Sequence, residues 1–145
     1  MNVLDALNIS SSGLTAQRIR MDLISSNLAN INTTRTLEGG PYKKKEAVFA
    51  AYPQSQSFKS LLRSHESGTP SEVKVAGIIN DSRPPVLKFD PGHPDADEKG
   101  FVAMPNINLI EEMVNMISAS RSYEANVTAI DATKKMALKA LEIGR

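Results

Sequence analysis

The sequence predicts a mainly α protein with a small β-rich insert, enclosed by a long helix at each end. Three patterns carry this reading. Near the N-terminus apolar residues recur every seven positions, at Leu7, Leu14, Met21 and Leu28, with Ile24 and Ile31 three residues beyond the last two. A second stripe, in steps of four and three, runs through Leu109, Met113, Met116, Tyr123, Val127, Ile130, Ala137 and Leu141, broken at Ser120 and Lys134. Residues 39 to 105 hold every proline and all glycines except Gly13 and Gly144. Regular apolar spacing keeps one side of a helix ready to wind against another, whereas clustered Pro and Gly mark turns.

The first segment, 1–36, reads as a helix over residues 3 to 29 followed by a joint. Gly13, after Ser10, Ser11 and Ser12, weakens the helix middle by about 1 kcal/mol relative to Ala, which predicts a bend or a crowded contact. The helix then runs into SSNLANINTT, residues 25 to 34, full of amides and hydroxyls and free of charge. The last helical carbonyls lack intrahelical donors, and such side chains supply them without the desolvation cost of a charge. Leu28 and Ile31 are then the last apolar contacts. Asn27, Asn30, Asn32 and Thr33 form the joint, Asn also tolerating the left-handed conformation of a helix terminus.

The insert, 37–107, offers three strand candidates, KKEAVFAAY, EVKVAGII and PVLKFD, each rich in β-branched or aromatic residues. SQSFKSLLRSHESGTP, between the first two, reads as a loop. FDPGHPDAD reads as a rigid turn, with Pro91 and Pro94 fixing backbone angles and Asp90 and Asp95 bonding nearby amides. His93, Asp95, Asp97 and Glu98 tempt a metal reading, but they lack the ligand ladder and bidentate Glu of a calcium loop. Two His in the whole chain do not close a zinc site either. No metal or cofactor is expected.

The last segment, 108–145, begins with Asn108 and has Glu111 three residues later, the form of an N-cap whose partner reaches back. With Gly144 as the stop, the helix is about 35 residues, roughly 50 Å long. Met113, Met116 and Met136 read as helix-packing core, and Arg121 with Glu124 as a surface pair worth at most about 0.5 kcal/mol.

Composition narrows the function. The formal net charge is +1, and neither end carries the basic stripe that nucleic-acid binding requires. Lys43, Lys44 and Lys45, followed by Glu46, read as a solvated face. The absence of Cys excludes disulfides and thiolate metal sites. Nothing approaches the roughly 18 consecutive apolar residues of a membrane span, and MNVLDALNISSSG lacks the basic start and apolar run of a cleaved signal. Ser residues are frequent, but no His/Asp context makes one a nucleophile, so neither an enzyme nor a small-molecule substrate is expected. Three Tyr, four Phe and no Trp are few anchors for a compact core, which favours pairing with neighbours.

Three stretches together resemble a known family. SGLTAQRIRMDLISSNLANINTT is similar to the signature of flagellar rod and hook proteins, where a helix ends in an NLAN-x-NT element. DPGHPDADEKGFVAMPNINLIEEM and MISASRSYEANVTAIDATKKMALKALEIG are similar to the middle and C-terminal elements of the same group. The chain resembles the axial proteins of the bacterial flagellum, most closely the C type of basal-body proximal-rod proteins. That resemblance implies a non-enzymatic structural subunit whose terminal helices pack as one coiled-coil domain lining the rod. It also implies export by the flagellar type III apparatus without a cleaved signal, and helical assembly in the periplasm. The implied partners are other copies, other rod proteins and the motor-ring adaptors at the rod base. The two stripes above are then subunit interfaces. A soluble coiled-coil adaptor or secretion chaperone is the alternative class, separable by whether loss of the last ten residues abolishes incorporation into a filament.

Overall fold

The computed structural model describes residues 3–53 and 71–143. The elements in chain order are α1 (Val3–Ala29), β1 (Lys45–Pro53), β2 (Ser71–Asn80), β3 (Val86–Phe89), β4 (Phe101–Met104) and α2 (Leu109–Ile143). Both helices thus lie where the periodicity places them. α2 is capped by Asn108, whose Oδ1 accepts the N–H groups of Ile110 at 3.0 Å and Glu111 at 3.4 Å. The Glu111 carboxylate leans toward Lys44 Nζ at 3.5 Å. Gly144, the expected stop, lies outside the described residues, as does the loop read at 55–70.

The helices lie side by side and antiparallel. Asn27 meets Glu112 at 3.0 Å, Arg20 reaches Asn115 at 3.4 Å, and Gly13 sits opposite Asn126. Ala16 and Ala119 are buried between them, small enough for close approach, and Ile24 is the large apolar residue that α1 buries. A Cβ on Gly13 would lie 3.1 Å from the Asn126 amide nitrogen, so the crowded contact expected there is present. Gly13→Ala is expected to stay within about 1 kcal/mol of wild type, the gain in helix propensity offsetting displacement of that amide. Gly13→Leu is expected to cost about 2–3 kcal/mol by overpacking, a difference that thermal melts of the two variants resolve.

The inward side of α2 differs from the apolar stripe. Its less exposed positions are Glu112, Met116, Ala119, Tyr123, Asn126, Ile130, Thr133 and Ala137, again in steps of four and three. Met116, Tyr123, Ile130 and Ala137 belong to both lines. Leu109, Met113, Val127 and Leu141 stand exposed on this chain, and so does Met136, so of the three methionines only Met116 packs inward. The physical reason is that polar residues occupy the inner line with their hydrogen bonds made. Asn126 donates to the Ser122 carbonyl and Thr133 to the Ala129 carbonyl, while Glu112 bonds Asn27. A count of apolar residues passes over all three. The ion pair described on the surface of α2 is Lys139 with Glu142, not Arg121 with Glu124.

β1 and β2 pair antiparallel from Lys45 opposite Asn80 to Pro53 opposite Ser71, with a bulge between Val48 and Phe49. A lone two-stranded hairpin is marginal in water, and this one rests on α1, where the Val73 N–H donates to Ser12 Oγ at 3.1 Å. β3 pairs with β4, a strand too short for its alternation to register in the sequence. The Phe89 and Phe101 rings meet edge to face at 5.3 Å, and Val102 is buried. Gly100, at φ +78°, makes the turn into β4, where a Cβ would meet Phe89 at 3.0 Å. FDPGHPDAD is the ordered turn expected, but Asp97 anchors it: its Oδ1 accepts the N–H groups of Lys99 at 2.9 Å and Phe101 at 2.8 Å. Asp95 instead accepts Thr34 Oγ1 at 2.8 Å, tying the joint after α1 to this turn.

Candidate functional site

The two helices and the first hairpin meet at Asn27. Its Oδ1 accepts the Lys45 N–H at 2.9 Å and the Tyr42 hydroxyl at 3.2 Å. Its Nδ2 donates to the Lys45 carbonyl at 3.0 Å and to Glu112 Oε2 at 3.0 Å. All four bonding directions of the amide are filled, which is what a side chain only 1% exposed requires. By pairing with both backbone groups of Lys45, Asn27 acts as one residue of a neighbouring strand and fixes where β1 begins.

Beside it, Lys44 Nζ lies 3.0 Å from Glu112 Oε1, 2.9 Å from Glu46 and 3.5 Å from Glu111. Lys44 and Glu112 are buried, whereas Glu46 and Glu111 are more than half exposed. Burial alone depresses the Lys44 pKa, but hydrogen bonds to Glu46 and Glu112, with their charges, outweigh it and raise it above the ordinary 10.5. The stabilisation from this cation is therefore complete below about pH 10.5 and lost as pH rises through the higher folded value. Urea melts above that pH are expected to show a falling stability that a Lys44→Met/Glu112→Leu chain lacks. A further pair, Arg83 with Asp81, holds the Asp81 carboxyl below the usual carboxylate range through side-chain and backbone hydrogen bonds. The Asp81 N–H in turn donates to the Lys44 carbonyl at 2.8 Å.

The predicted joint residues divide. Asn27 is the centre of the cluster. Asn30 Nδ2 donates to the Ser26 carbonyl at 2.8 Å and its Oδ1 accepts Thr33 Oγ1 at 3.2 Å, so both serve the helix end. The Thr33 carbonyl accepts the Tyr42 N–H at 3.1 Å. Asn32 is exposed and takes no side-chain hydrogen bond among the described residues. The left-handed Asn expected at the terminus is not the device used, since among the described residues only glycines have positive φ. The chain instead tightens, with Ile31 N–H to the Leu28 carbonyl at 3.4 Å and Thr33 N–H to the Asn30 carbonyl at 3.0 Å. Of the lysine run expected to be a solvated face, Lys43 and Lys45 are exposed but Lys44 is buried, because Glu112 and Glu46 draw its ammonium inward at 3.0 and 2.9 Å. Tyr42 and Glu112 have no role in the sequence reading; the one signal for Glu112 is a charge set beside the apolar stripe.

Of the N-terminal stripe, Ile24 is buried, and Leu7, Leu14, Met21, Leu28 and Ile31 are half-buried. Leu109, Ile110, Met113, Val114 and Ile117 are each half or more exposed, an apolar band along the first third of α2 that the described residues leave uncovered. The arrangement is a polar clamp that fixes two helices and a hairpin, with apolar surface facing outward.

The two ends of the chain match two family models. Residues 7–35 match the model of flagella basal body rod proteins, and residues 98–143 match the C-terminal model of the flagellar basal body rod FlgEFG proteins. Both halves of the helix pair thus carry the signature of one class, the rod proteins of the flagellar basal body. Over the full chain, the flagellar basal-body rod protein FlgC of Bacillus subtilis is 47% identical, with all of both chains covered. That of Borreliella burgdorferi is 46% identical over 99% of this chain and 98% of its own, and that of Salmonella typhimurium 37% identical over all of both. The chain belongs to the FlgC family of flagellar basal-body rod proteins.

Proposed function

We propose that this chain is a structural subunit of the proximal rod, built into a helical tube by its terminal helices and passing torque through the packed wall. The observation that carries this reading is the uncovered apolar band on α2, from Leu109 to Ile117, set on a helix pair whose own joint is already closed by Asn27, Lys44 and Glu112. Apolar area of this kind contributes about 25 cal/mol per Å² once a neighbour covers it. Repeated along a polymer, it makes a stiff wall from subunits with small cores. In this reading the helices work as a coiled-coil domain, 1–36 with 108–145, and 37–107 stands on the outside. The subunit reaches the periplasm through the flagellar type III apparatus and meets further copies, other rod proteins and the rod-base adaptors.

Cells lacking the chain, complemented with wild type, Leu28→Asp or Ile117→Asp, test the reading by swimming and by electron microscopy of basal bodies. No rod without the chain, rescue by wild type and failure of both variants are the expected results. Intact rods and normal swimming in the deletion would sink it.

A further inference from the structure

The β3–β4 hairpin turns an apolar face outward. Side chains alternate across a strand, and the buried Val102, paired with Lys88, marks the inner side. Leu87, Phe89 and Phe101 share the other side, where Leu87 and Phe89 are 65% and 64% exposed and the two rings meet edge to face. The turn at the tip of the hairpin is acidic, with Asp90, Asp95, Asp97 and Glu98 against one lysine, Lys99. None of these carboxylates makes an ion pair among the described residues. The groups that donate to Asp95 and Asp97 are neutral, so the negative charge stays uncompensated. An apolar face held out in water loses hydrophobic free energy unless a partner receives it.

A groove of about 650 Å³ opens between α1, the loop that precedes β1, and β2. Leu23, Leu37, Tyr42 and Ile78 form its apolar walls, and Lys43 and Lys45 outnumber Glu38 among its charges. Both lysines are exposed and make no ion pair among the described residues, the Lys45 ammonium lying 5.8 Å over the Tyr42 ring instead. No residue of 86–104 lines the groove, so the hairpin of the same copy does not fill it. Both features are preformed, which keeps the ordering cost of a contact small. The Thr36 N–H donates to the Gly40 carbonyl at 2.9 Å to brace the loop, as Asp97 braces the hairpin turn. Two acidic hairpins repel each other, and the band from Leu109 to Ile117 carries Glu111 and no basic residue, so neither suits the hairpin. The groove joins apolar walls, a concave shape and excess positive charge.

We propose that the β3–β4 hairpin of one copy lays its Leu87, Phe89 and Phe101 face into this groove of the next copy, with the acidic turn toward Lys43 and Lys45. Two different surfaces of one chain then meet head to tail, a contact that repeats around a helix instead of closing into a dimer. The inference rests on the reading of the chain as a rod subunit and adds which surfaces meet.

The chain has no cysteine, so paired cysteines report this contact cleanly. Leu87→Cys on the hairpin and Ile78→Cys on the groove wall are combined in one chain and oxidised in isolated basal bodies. Dimers and larger products that need both cysteines are expected. Dimers from either single variant indicate a symmetric contact and overturn the proposal. A cross-link within one chain, seen as a faster-migrating monomer, overturns it as well, and so does a cross-link to a protein of another mass. Assembled rods with no cross-link also overturn it while leaving the rod reading intact, whereas absence of the wild-type chain from rods sinks that reading itself. Should the paired variant fail to enter rods, Leu87→Asp and Ile78→Asp decide, with Leu87→Met and Ile78→Met as controls. Each Asp variant is expected to give roughly tenfold fewer rods with an unchanged monomer circular dichroism spectrum, and each Met variant to swim. Wild-type swimming of either Asp variant overturns the proposal.

Discussion

Asn27→Ala is expected to destabilise the folded chain by about 3–5 kcal/mol, the largest effect of any single truncation outside the apolar core. The substitution removes four hydrogen bonds and puts nothing in their place. Both backbone groups of Lys45 lose their partner at the start of β1, and Glu112 loses a donor in a position 1% exposed. Each orphaned buried group costs about 1–3 kcal/mol, and partial hydration of the Lys45 groups keeps the sum below the maximum. Asn27→Asp is expected to cost at least as much, because it sets a second carboxylate where an amide N–H now lies 3.0 Å from Glu112. Urea denaturation midpoints of the purified chains measure both. Since small domains have only about 5–15 kcal/mol in hand, either variant is also expected to swim poorly. An Asn27→Ala chain within 1 kcal/mol of wild type would show that the amide is not the fastener described.

Glu112→Ala is expected to cost about 3 kcal/mol. It leaves the buried Lys44 ammonium with Glu46 at 2.9 Å and Glu111 at 3.5 Å, both largely in water, and deprives Asn27 of an acceptor. Breaking a buried pair from one side typically costs about 3–5 kcal/mol, and the surviving contact with Glu46 places this case at the low end. Lys44→Met/Glu112→Leu removes both charges together and is expected to recover to within about 2 kcal/mol of wild type, since an apolar pair of similar volume avoids the desolvation penalty. A double-mutant cycle of urea melts reads the coupling, expected at about 2 kcal/mol or more for two groups in direct contact. Additive single effects would instead place the stability elsewhere, in the packing of Ala16 and Ile24 against α2.

The contrast between these residues explains which parts of the molecule were legible in advance. The sequence places Asn27 in a helix-end joint, whereas in the fold its amide joins α1 to β1 and α2. A run of uncharged polar residues shows that backbone groups need partners there, yet Asn30 and Thr33 meet that need locally. Asn27 is turned inward and bonds residues 15 to 85 positions away. Local capping depends on spacing along one helix, so it can be read from the sequence. A contact with Lys45 or Glu112 depends on how three elements dock, and no local pattern encodes it. The strand β4 escaped for a related reason, since four residues carry too little alternation and its pairing with β3 is set by the turn that Asp97 holds.

By itself the sequence determined the two long helices, the turn-rich insert with its main hairpin strands, and the family, because seven-residue periodicity, Pro and Gly punctuation and the rod motifs are properties of neighbouring residues. Tertiary structure alone decided which side of α2 faces α1. The inner line passes through Glu112, Asn126 and Thr133, whose hydrogen bonds are made, and leaves Leu109, Met113, Val127 and Leu141 outside. A polar side chain becomes an interior residue only when a partner meets it, and that partner comes from another part of the fold.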